Sequence, residues 1–104
     1  MILGGQMETN DNISNVGIVW YTEEEWQKMK NISSDREIFE NSFIEWEQMA
    51  NESLVGMKAN GLVATKVFIN TDEFILWCKI HSMELDSSSR SKYITEVMAR
   101  RNSN

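Results

Sequence analysis

Val19-Trp20-Tyr21-Thr22-Glu23-Glu24-Glu25-Trp26 passes from an apolar run through one capping residue and three acids to an aromatic side chain. Its upstream half belongs to Val16-Gly17-Ile18-Val19-Trp20-Tyr21, a β-branched and aromatic run of strand length. Gly17 weakens that strand slightly, since it adds no side chain to the sheet. Thr22 then reads as an N-cap, with Glu25 three residues on completing a capping box. The acids of the first turn suit the positive end of the helix dipole. The helix is expected to run to about Asn31 and to turn Trp26 and Met29 inward.

A second stretch, Val67-Phe68-Ile69-Asn70-Thr71-Asp72-Glu73-Phe74, matches the first position by position in character. Generic capping chemistry gives any strand-to-helix turn this form, which is the economical reading. An ancient duplication is the alternative.

Between the two lies the longest expected element, about Asp35 to Asn60. Ile38, Phe39, Phe43, Trp46, Met49, Ala50, Leu54 and Met57 recur at helical spacing. Gly61 follows as the residue that ends it. At about 1.5 Å per residue it would be near 39 Å long, so it either projects or breaks near Gly56. Leu62 to Ile69 is the second strand, and Asn70-Thr71-Asp72 caps a helix from Glu73 to about His81. That helix is apolar nearly all round, which predicts burial on every side. Ser82 to Ser89 is a loop, and a last helix runs from Asp86 or a nearby serine to about Arg101. Tyr93, Ile94, Val97 and Met98 form its inward stripe.

The fold expected is therefore α+β: a two-stranded sheet in β-α-α-β-α-α order, packed with about four helices. Simple up-and-down alternation would make the strands antiparallel, a crossover being the other possibility. One domain spans 16–101, and residues 1–15, rich in Gly, Asn and Ser, are expected to form a disordered tail.

Sixteen acids against ten Lys plus Arg give a net charge of −6. That field disfavours nucleic acid, whose binding draws on Lys and Arg. No apolar run approaches the roughly 20 residues of a membrane span. Cys78 is the single cysteine, so no internal disulfide forms, and a reducing cytoplasm fits best.

Cys78 and His81, three apart on a helix, are the nearest approach to a reactive pair. Their setting among Phe74 and Trp77 favours an inert buried thiol. One Cys and one His are also too few for a structural zinc site, and no metal or cofactor is expected. The acids Glu37, Glu40, Glu45, Glu47 and Glu52, with Asp35, read as a solvated helix face. Arg90, Lys92, Arg100 and Arg101 give the last helix a basic bias, which suits its dipole or an acidic partner.

Ile44 and Val55 stand opposite the main apolar stripe of the long helix and are the candidate interface. A two-stranded sheet also leaves open edges, which invite pairing. Both features point to a homodimer, with the sheet extended to four strands, or to docking on another protein. The function expected is a small non-enzymatic interaction or regulatory module that self-associates. The alternative is a small enzyme or ligand-binding domain with a pocket near Trp20, Trp77, Cys78 and His81.

Asn70 to Lys79, followed by Asp86-Ser87-Ser88-Ser89-Arg90 and Tyr93, and joined by Trp20-Tyr21 and Phe43-Ile44-Glu45-Trp46, resembles a group of short bacterial proteins of no assigned activity. The resemblance implies a bacterial-type cytoplasmic protein. It carries over no functional residue.

Overall fold

A computed structural model describes residues 15–102. The expected tail, all but Asn15, lies outside the described residues. The elements are β1 (Asn15–Trp20), α1 (Glu23–Ile32), a 3-10 turn (Arg36–Ile38), α2 (Phe43–Ala59), β2 (Val63–Phe68), α3 (Thr71–His81) and α4 (Ser87–Asn102). The β-α-α-β-α-α order and the α+β class are as expected.

The two strands are parallel, with Val19 beside Val67 and Trp20 beside Phe68. This corrects the antiparallel expectation, which counted both intervening helices as passes along the sheet. α1 packs mainly on α2, α3 and the 3-10 turn. It therefore carries the chain sideways. α2 alone runs back, its 17 residues covering about 26 Å against about 20 Å for a six-residue strand. Trp46 near its start meets Trp20 and Tyr21 at the end of β1, with ring centroids 5.3 and 5.2 Å away.

α4 covers the other face of the sheet. A Cβ on Gly17 would stand 2.5 Å from Met98 Cγ and 3.3 Å from Ile94 Cγ2. Gly17 is thus a place where α4 approaches the strand closely, and the missing side chain is what admits it. The core between these layers holds Trp20, Trp26, Met29, Trp46, Val67, Phe74, Cys78, Tyr93 and Ile94.

Three caps follow one rule. Thr22, Ser42 and Asn70 each accept the amide of the residue three positions on, Glu25, Glu45 and Glu73. The Ser42 cap is where the long expected helix breaks. Only the 3-10 turn forms before it, and Gly56 lies inside the continuous α2. Asp35, expected to begin that helix, is engaged instead with Arg90 and the Ser87 amide. Ile38 and Met49, assigned to the inward stripe, are exposed.

α3 also departs from expectation. It buries Thr71, Phe74 and Cys78 but exposes Leu76 and Ile80. α1 and α4 cover its inner side, and with no further layer in so small a domain its outer side meets solvent. α4 begins after Asp86, whose Oδ1 accepts the Ser89 amide at 3.0 Å.

Candidate functional site: a cleft on the outer edge of β1

The parallel ladder fixes which edges are open. The Ile69 amide donates to the Trp20 carbonyl at 3.1 Å, so Trp20 turns its backbone groups toward β2. Directions alternate along a strand, hence Gly17 and Val19 present their N–H and C=O groups to the opposite edge. By the same geometry Val67 and Ile69 face β1, whereas Ala64, Lys66 and Phe68 face outward from β2. Among the described residues no strand covers either edge.

A cleft of about 280 Å³ lies along the outer edge of β1. Val19 and Tyr21 form its floor, and Trp46 and Met49 of α2 form one wall. Ser87, Arg90 and Ser91 of α4 form the other wall, and Ile38, Phe39 and Glu40 close one end. β2 contributes no lining residue, which places the cleft at the strand edge, between the helices of the two faces.

The polar wall is built around a buried ion pair. Arg90 donates to Asp35 Oδ1 at 3.2 Å and Oδ2 at 3.1 Å, and to Ser33 Oγ at 3.1 Å. Its guanidinium carbon stands 5.0 Å from the Phe39 ring centroid. Ser33 Oγ in turn donates to the Met29 carbonyl at 2.7 Å, and Asp35 Oδ2 accepts the Ser87 amide at 2.9 Å. Burial raises the Asp35 pKa, but the Arg90 bonds and charge, with the Ser87 amide, outweigh it and hold the carboxyl below its usual range. Burial pushes the Tyr21 phenol up to about 12, against Arg90 and with Asp35. The cleft therefore offers a neutral phenol, and its cation is already neutralised.

The sequence groups Arg90 with Lys92, Arg100 and Arg101 as a basic patch. Its burial removes it from that patch. Arg100 lies 3.5 Å from Glu96.

Cys78 and His81 stand in different surroundings. Cys78 is buried, and its Sγ donates to the Glu84 carbonyl at 3.7 Å. Burial, with Asp86, raises the thiol pKa, so the nucleophilic thiolate is disfavoured. His81 is exposed, and its Nδ1 lies 2.9 Å from the Trp77 carbonyl, which can only accept and so fixes that nitrogen as the protonated one. A second cleft, of about 390 Å³, lies by Val67, Phe68, Tyr93 and Val97, with Glu73, Arg100 and Arg101 at its rim. Neither cleft is lined by Trp20, Trp77, Cys78 or His81.

Ile44 and Val55 are 66% and 67% exposed on the outer side of α2. Gln48 and Asn51, also exposed, lie between them on the same face, so the two are separate apolar points. Val63 and Phe68 of β2, each 59% exposed, are the apolar surface that strand periodicity left unassigned. The residues of the β1 cleft also went unassigned, because Asp35 and Arg90 are 55 positions apart.

Among the described residues no group of three His, Cys, Asp or Glu side chains is arranged to hold a metal, and no helix is long and apolar enough to cross a membrane. Compared with protein-family models, with curated proteins and with solved structures, the chain has no match.

Proposed function

We propose that the protein is a small, non-enzymatic, cytoplasmic interaction module that self-associates through the outer edge of β2. The observation that carries this reading is the edge itself. A six-residue strand turns the backbone groups of Ala64, Lys66 and Phe68 away from β1, with Val63 and Phe68 exposed beside them. Such edges pair readily, and pairing across a two-fold axis would extend the two strands to four.

Register follows from charge. An axis through Thr65 sets Ala64 against the partner's Lys66 in both directions. It avoids placing two Lys66 ammoniums directly opposite, which would be destabilising. Lys66 also lies over the Trp20 ring, 4.2 Å from its centroid, which draws the ammonium over the sheet face.

Amide hydrogen exchange tests this reading. The Ala64, Lys66 and Phe68 amides should become more protected as protein concentration rises. Unchanged exchange at these three positions across the dilution series would refute pairing at this edge.

A further inference from the structure

We propose that the cleft on the outer edge of β1 binds an extended, cationic segment of another protein, added to the sheet as a third strand. The inference rests on the interaction-module reading but uses the opposite edge from the one assigned to self-association.

Gly17 and Val19 supply backbone donors and acceptors along the edge, which is what strand addition requires. Trp46, Met49 and Ile38 offer apolar contact beside it. A volume of about 280 Å³ is at the small end for ligand pockets, and suits one or two side chains better than a whole cofactor.

Charge selects the occupant. Of the charged residues that line the cleft, Glu40 is acidic and Arg90 basic. Asp35 is satisfied by Arg90. The lining charge left over is therefore the Glu40 carboxylate, in a chain whose net charge is −6. Lys30 reaches this region too, but its Nζ bonds the Glu40 carbonyl at 2.9 Å, and the Glu40 carboxylate forms no ion pair among the described residues. A strand alternating apolar and cationic side chains satisfies the apolar wall, the backbone edge and the Glu40 carboxylate together.

The test uses a capped seven-residue peptide alternating Lys and Leu, titrated into the isotope-labelled full chain and followed by NMR. Saturable shifts are expected at the Gly17, Val19 and Tyr21 amides and at the Trp46 indole. Affinity should fall at least tenfold when alternate peptide nitrogens are methylated, since more than one edge hydrogen bond is lost. Glu40→Lys and Met49→Lys should weaken binding as well, and added salt should do the same. Equal binding by the Glu and Leu analogue, or shifts confined to residues outside the cleft, would overturn the proposal. So would concentration-dependent protection of Gly17 and Val19 without peptide, which would mean that a second copy fills the cleft. The titration is repeated on Phe68→Lys, designed to abolish β2 pairing, so failure of one reading is seen separately from failure of the other.

Discussion

The Thr71 amide donates to Glu25 Oε1 at 2.8 Å, so a carboxylate of α1 sits at the N-terminus of α3. The Thr71 hydroxyl returns a bond to the Glu25 carbonyl at 3.3 Å. Both helices spring from the carboxyl ends of parallel strands, and this pair joins their first turns. The anion occupies the positive end of a neighbouring helix dipole, where it is favoured.

Acid should find this joint. The Thr71 amide holds the Glu25 carboxyl below its ordinary value, and Arg90 does the same for Asp35 against burial. A carboxyl depressed in the folded state adds stability above its unfolded pKa and loses it as pH falls through the folded one. Urea midpoints should be level near neutrality and fall below about pH 4. Glu25→Ala should lower the unfolding free energy at neutral pH by about 1–3 kcal/mol and shrink the acid loss. An acid slope identical in Glu25→Ala and wild type would contradict the assignment.

Asp35 and Arg90 should behave as one unit. Removing one partner of a buried pair costs about 3–5 kcal/mol, and Asp35→Ala belongs at the lower end because its side chain keeps some contact with water. The double change Asp35→Leu with Arg90→Met should be less destabilised than the sum of its single variants, read by urea unfolding. Additive losses would mean that the pair is not coupled.

Gly17 and Met98 make a steric pair. Gly17→Ala should cost about 1–3 kcal/mol, because the new Cβ meets Met98 Cγ at 2.5 Å. Met98→Ala added to it should recover part of that loss. A Gly17→Ala midpoint equal to wild type would show that α4 does not pack against the strand at this point.

The two tyrosines should ionise late. Burial raises both, Tyr21 to about 12. A raised folded pKa keeps its stabilisation below the unfolded value near 10 and loses it as pH climbs beyond. Absorbance near 295 nm should therefore stay low through about pH 10.5 and rise with unfolding. A reversible midpoint near 10 for both phenols in the folded protein would contradict the burial of Tyr21.

Much of this fold was legible because its signals are local. Thr22 and Asn70 declare their helices through residues three positions away, and the strands declare themselves by composition. The echo between 19–26 and 67–74 has an offset of 48, and the strand register has the same offset: 68 − 20 = 48 for Phe68 beside Trp20. The two β-α turns thus stand side by side, which either origin of the echo allows. Ser42 with Glu45 carries the same capping signal as Thr22 with Glu25, but apolar spacing running through it from Ile38 to Met57 concealed the break. Strand direction was hidden because it depends on α1 turning sideways, a tertiary matter. The β1 cleft was hidden for the same reason: Asp35, Tyr21, Trp46 and Arg90 meet only after α2 and α4 close on the two faces.

Native mass by size exclusion with light scattering, over a wide concentration range, tests self-association most directly. The account expects wild type to approach twice 12.1 kDa, and Phe68→Lys to remain at the single-chain mass. A wild-type monomer at every concentration, or a Phe68→Lys dimer as stable as wild type, would contradict pairing through the β2 edge.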